Sequence, residues 1–206
     1  AFAQLLLARG ALDDASRQAA ETIVAEAKRA ARIVGSLLTF ARQTPTERSR
    51  TDVNELLGQT VELRRIALGD SGIALEVDLD PRVPVTWADA GQLQQVFLNL
   101  IANAEQALGG VDGPHGIRVH SRRQGETIVI GVRDSGRGIA SEHLPHIFNP
   151  FYTTKPRGVG TGLGLSISDG IVRGHDGSLR VHSELGRGTL FEVLLPIVSP
   201  PVTDSV

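Results

Sequence analysis

Carboxamides, glycines and one carboxylate are the groups in this chain whose types and spacing could do chemistry. In residues 92–108, Gln92, Gln95, Asn99, Asn103 and Gln106 recur three or four apart and share one helix face, while Leu93, Val96, Phe97, Leu100, Ile101, Ala104 and Leu108 form an apolar stripe. A solvated face normally carries Lys, Glu or Arg, and asparagine is a poor helix former, so two of them in a helix interior need a reason. A row of neutral carboxamides suits a hard cation such as Mg²⁺ that already carries phosphate and water ligands. Asp134-Ser-Gly-Arg-Gly138 follows a strand pattern at 127–133. Glycines at Gly136 and Gly138 let the backbone turn tightly and a flat ligand approach, and a buried Asp134 can accept a hydrogen bond from an exocyclic amino group. The same spacing also occurs in plain turns.

Gly158-Val-Gly-Thr-Gly-Leu-Gly164 sets glycines at alternate positions just before an apolar helical stretch. Such a loop can wrap an anion with its N–H groups and deliver it to a helix N-terminus, where the peptide dipoles favour negative charge. It is neither a Walker loop nor a dinucleotide fingerprint. Upstream, Phe148, Phe151, Tyr152, Thr153, Thr154 and Lys155 run from aromatic to polar, the pattern of a lid anchored by its rings; Lys155 alone also reads as an ordinary exposed lysine.

The elements that must position these groups follow from periodicity. Residues 1–43 read as helix broken near Gly10, with Asp13 or Asp14 capping the second piece. There Ile23, Ala27, Ala30, Val34, Leu37 and Ala41 form a narrow seam, which predicts an antiparallel hairpin that pairs with another copy. Residues 44–50 are a polar hinge. Asp52 with Glu55 predicts a capped helix to about Leu68. Strands are predicted at 73–79, 117–122, 127–133, 178–183 and 189–195, and a helix at 162–172, with part of the sheet antiparallel. An α+β fold follows, a two-layer sandwich with helices on one face of a sheet.

The composition fits. The 206 residues are 41% hydrophobic and 21% charged, with a formal net charge of −2, as in an ordinary globule; a nucleic-acid contact is disfavoured. No cysteine is present, which excludes disulfides and thiolate sites and suits a reducing cytosol. The longest apolar runs are too short to span a membrane, so no membrane contact is expected, and a cytoplasmic location is, with any anchor upstream.

Together these residues resemble the ATP-binding domain of two-component sensor histidine kinases, with its Bergerat-type fold. Asn99-Leu-Ile-Ala-Asn103-Ala matches the family's N box, Asp134 to Gly138 its first glycine box, Phe148-x-Pro150-Phe151 its F box, and Gly160-Thr-Gly-Leu-Gly164 its second glycine box, in family order. Asn-Ala-Glu-Gln-Ala-Leu is similar to the nitrogen-regulation-like branch. The resemblance implies a partial dimerisation hairpin at 1–43, a linker at 44–50, a catalytic domain at 51–198 and a tail at 199–206. It implies ATP and Mg²⁺ as ligands, with Asn103 and Asn99 holding the ion and Asp134 reading the adenine amino group, helped by Gly136 and Gly138. Thr189 would support Asp134 directly or through water. Gly160, Thr161, Gly162, Leu163 and Gly164 would cradle phosphate, and Lys155 would approach it from the lid. A homodimer and a response-regulator receiver domain are the implied partners.

Two departures stand out. Gln106 occupies the place of a phosphate-contacting lysine in many members, and the acceptor histidine with its H box is expected upstream of Ala1. His115, His120, His143, His146, His175 and His182 lack the His-Glu pattern and read as surface or packing residues. Members of the wider gyrase, heat-shock-chaperone and mismatch-repair ATPase superfamily that hydrolyse ATP well carry Glu where this chain has Asn99, which favours phosphoryl transfer. The rivals are a conformational ATPase of the same superfamily and a nucleotide-binding module without transfer.

Overall fold

The computed structural model describes residues 2–8, 13–41, 47–109, 115–155 and 160–199. The chain divides into two compact units, Ala1–Thr44 with Thr153–Thr161, and Pro45–Tyr152 with Gly162–Val206. In the first, α1 (Phe2–Ala8) packs on α2 (Asp14–Ala41). α2 starts where Asp13 Oδ1 accepts the Ser16 N–H at 2.7 Å, a side-chain cap on an otherwise orphaned donor. Of the expected seam, Ile23, Ala27 and Ala30 are exposed; the side chains of Val34, Leu37 and Ala41, and the turn at Gly10, lie outside the described residues. Among the described residues, no helix is long and apolar enough to cross a membrane.

The second unit is a two-layer α/β sandwich. Its sheet has the order β2 (Ala74–Leu79), β4 (Gly116–Gln124), β5 (Thr127–Asp134), β7 (Gly188–Pro196), β6 (Ser178–Glu184). β2 and β4 run parallel; every other pair in this sheet is antiparallel. α3 (Val53–Asp70), α4 (Ala90–Leu108) and α5 (Gly164–Gly174) contribute Leu57, Phe97, Leu100 and Val172 to one core, with Ile117, Val119, Ile130 and Val193 from the strands. Alternate strand residues point the other way, and several of them are charged, among them Glu76, Arg118 and Arg133.

Asp52 caps α3 by accepting the N–H groups of Asn54 and Glu55. Asp89 caps α4 by accepting that of Gln92 at 2.9 Å. The apolar stripe of α4 is fully buried, as its spacing predicts: Leu93, Val96, Phe97, Leu100 and Ile101 are all 0% exposed. Each such side chain contributes about 1.5–3 kcal/mol relative to exposure. One element lies where a hinge is expected. Ser49–Thr51 form β1, antiparallel to β3 (Thr86–Ala88), so the polar hinge gives way to a strand at Ser49. Thr51 Oγ1 fastens the pair by donating to Ala88 O at 3.0 Å. Residues 42–43 of the hairpin, 44–46 of that hinge and 200–206 of the tail lie outside the described residues.

Candidate functional site

α4 is the element that the other site segments touch. Its polar face lies half-buried at Gln92, Gln95, Asn99 and Asn103 and becomes exposed at Gln106. Asn99 Nδ2 donates to Ser168 Oγ of α5 at 2.9 Å. The oxygen of the same amide lies against the first residue of α5: a Cβ added to Gly164 would stand 2.3 Å from Asn99 Oδ1, so a larger residue there would displace the amide. Leu163, at the N-cap of α5, is 1% exposed and offers no side-chain acceptor, so it makes no side-chain cap bond to the first turn.

Farther along α4, its C-terminal carbonyls meet the loop after β5. The Arg137 N–H donates to Ala107 O at 3.2 Å, and Arg137 Nη2 to Gln106 O at 3.1 Å. Gly136 sits so close that a Cβ would stand 2.6 Å from Ala107 O. Gly138 carries the same loop onto the Glu184 carbonyl.

Asp134 closes the central strand, paired with Thr189 on one side and Ile117 on the other. It is 3% exposed, and burial pushes its pKa up against the opposing pull of two N–H donors and of Arg133. Both donors fall on Oδ1, from Gly136 at 2.8 Å and Thr189 at 3.2 Å. Among the described residues no donor falls on Oδ2.

Thr189 thus touches Asp134 through its backbone. Its hydroxyl meets Ser183 Oγ at 2.9 Å; Ser183 gives its one proton to Gly188 O and accepts the Ile139 N–H. Ser183 and Ser168 belong to the site and carry no motif. The available signal for Ser168 is a hydroxyl between Ile167 and Val172 on the buried face of α5.

Phe148 and Tyr152 pack against the core, and Tyr152 Oη bonds His143 Nδ1 at 2.8 Å, as an anchored lid requires. Phe151 is 64% exposed and adopts φ 66°, with the Gly162 backbone packed directly on it. Lys155, Gly160 and Thr161 fall in the segment that groups with the helices. There the Lys155 N–H donates to Thr153 Oγ1 at 3.2 Å, and Gly160 faces Thr153 Oγ1. Gly158 lies outside the described residues. α4 therefore brings Asn99, Asn103, the Asp134 loop and Gly164 together, whereas Thr153, Thr154, Lys155, Gly160 and Thr161 are placed with the other unit.

The family model described as histidine kinase-, DNA gyrase B-, and HSP90-like ATPase matches residues 88–199. The chain is 37% identical over 183 residues to the sensor histidine kinase ZraS of Escherichia coli (strain K12), covering 88% of this chain and 38% of that protein. Full-length ShkA, solved in complex with AMPPNP, is similar with a TM-score of 0.77 at 25% identity, covering 92% of this chain and 40% of that one. Histidine kinase ThkA in complex with the response regulator protein TrrA gives 0.74 at 26% identity, covering 91% of this chain and 53% of that one. The chain spans about two fifths of the length of the ZraS proteins it matches and about a quarter of that of sporulation kinase E of Bacillus subtilis (strain 168).

Proposed function

Because the chain belongs to the histidine kinase-, DNA gyrase B-, and HSP90-like ATPase family, we propose that its sandwich unit binds Mg·ATP and serves as the catalytic part of a sensor histidine kinase. The reaction breaks the bond between the γ-phosphorus and the bridging oxygen. It forms a P–N bond to a histidine imidazole on a dimerised helical hairpin, with ADP leaving on the electron pair and one proton leaving the imidazole. The similarity to ShkA bound to AMPPNP supports an adenine nucleotide. The similarity to ThkA bound to TrrA supports a receiver domain as the next acceptor.

The observation that carries the reading is the meeting of Asn99 Oδ1 with the start of α5. It sets a carboxamide oxygen against the first residue of α5, a helix to which Leu163 gives no side-chain cap, with Asn103 one turn along the same face of α4, and this donor set fits a phosphate-bound Mg²⁺. Asn103 and Asn99 would hold the ion, which when bound neutralises charge on the phosphates. Asp134 Oδ2 accepts from the adenine amino group while Gly136 and Thr189 hold Oδ1. Gly162, Leu163 and Gly164 offer main-chain N–H groups to phosphate. Phosphoryl transfer asks little covalent chemistry of the protein, so positioning and charge neutralisation carry it. Asn99 is no base, which disfavours the conformational-ATPase rival.

Asn103→Ala is expected to weaken Mg-dependent ATP binding by roughly ten- to a hundredfold, the range for losing support of a metal. Calorimetric titration with and without magnesium measures this, with circular dichroism to confirm the fold; unchanged affinity refutes the site. Mixing the chain with a hairpin fragment that carries an acceptor histidine separates kinase from binding module. Acid-labile phosphate on the fragment is the kinase result.

A further inference from the structure

A carboxamide has one oxygen and one nitrogen, so a site built on Asn99 works only if the amide faces the right way. The two ends of this amide meet different surroundings, although both lie near α5: a Cβ built on Gly164 would stand 2.3 Å from Oδ1 and 3.1 Å from Nδ2. Oδ1 lies against Gly164, where the N–H groups of the first turn of α5 favour an acceptor. Nδ2 donates to Ser168 Oγ at 2.9 Å. Ser168 is 1% exposed, one turn beyond Gly164, so it has no path to a ligand of its own. A serine inside a helix can give its proton to the carbonyl of the preceding turn, which leaves its lone pairs for a donor such as Asn99.

We propose that Ser168 is a positioning residue for Asn99: its hydroxyl oxygen holds the amide NH₂ and thereby keeps the carbonyl oxygen turned toward the start of α5. The proposal deepens the Mg·ATP reading above and rests on it. With the hydroxyl gone, the NH₂ group faces a methyl in a buried place and loses its partner. The amide then rotates to recover one, and a hard cation meets nitrogen for part of the time.

Ser168→Ala keeps the helix, since alanine is the best helix former. In the nucleotide-free protein, the side-chain NH₂ resonances of Asn99, assigned against Asn99→Ala, are expected to shift and to exchange faster with solvent in Ser168→Ala. In calorimetry, ATP affinity with magnesium is expected to fall about tenfold, the lower end of what supporting residues contribute at metal sites, while affinity in EDTA changes by less than about twofold. The double variant Asn99→Ala/Ser168→Ala is expected to bind no more weakly than Asn99→Ala alone, because the serine acts through the asparagine. Ser168→Cys, nearly isosteric and a weaker acceptor, is expected to move in the same direction by less and serves if the alanine variant does not fold. If the wild type binds Mg·ATP and the variants match it, or lose affinity equally with and without magnesium, the positioning role is overturned and the site stands. If the wild type binds no nucleotide, the site falls and the positioning role falls with it.

Discussion

Asp134, 3% exposed at the end of the central strand, ionises at a cost that its two N–H donors only partly offset. Because the fold raises its pKa above the unfolded 3.8, the native state keeps this proton when the unfolded chain has released it. Its favourable contribution is therefore complete below the unfolded value and is lost as pH rises through the folded one. Asp134→Asn lacks that dependence, so urea titrations should show the variant gaining stability relative to wild type across this window, with a constant difference above it. The effect on ligand is opposite. Two N–H groups require an acceptor at the Oδ1 position, so the asparagine oxygen goes there and its NH₂ takes the place of Oδ2, donor against adenine donor. ATP affinity should fall by about 1.5–3 kcal/mol, roughly ten- to a hundredfold. Equal binding by the variant would exclude Asp134 from adenine recognition. Asp134 was legible from its place after a strand and before two glycines. Thr189 was expected beside Asp134 only through the family resemblance, and side-chain type cannot foretell that its backbone N–H makes the bond. Ser183 was not legible, since serine in a strand is unremarkable until its register partner is known.

At the scale of elements, α4 and α5 are joined at both ends. Asn99 reaches the start of α5, and His175, 4% exposed just after its end, reaches back to the start of α4. The Asp89 N–H donates to His175 Nε2 at 3.0 Å, which places the ring proton on Nδ1 toward Ile171 O at 2.8 Å. Asp89 is also the cap of α4 and accepts the Glu47 N–H at 3.2 Å, while Arg48 pairs with Asp176 at 3.4 Å. The segment entering the sandwich is thereby tied to both helices of the site. His175→Ala should cost about 1–3 kcal/mol for the stranded amide, besides any cavity, and denaturant midpoints would show it. A midpoint equal to wild type would mean that the Asp89 N–H finds another partner. α4 was legible because its apolar stripe and its burial coincide residue for residue. β1 and β3 were not, because three-residue strands show no alternation and are fixed by distant partners, as where Thr86 Oγ1 donates to Pro196 O at 3.0 Å.

Across the whole sandwich, one sheet face is core and the other mixes charged side chains with a few apolar ones such as Val129. A single row runs Asp78, His120, Gly131, Glu192, Arg180 over the five strands. The His120 ring occupies the space above Gly131, where a Cβ would stand 2.0 Å from it. Such alternation let the two layers be read from the sequence, whereas the parallel pairing of β2 with β4 depends on which strand a crossover reaches, and no local pattern encodes that. Substituting Phe97, 0% exposed at the centre of the core, by alanine should cost about 3–5 kcal/mol and abolish ligand binding only by unfolding. The most direct measurement of the central claim is calorimetric titration of the folded wild-type chain with ATP in magnesium. Saturable binding at one site per chain, weakened by EDTA, is the result expected; a folded protein that takes up no nucleotide would contradict it.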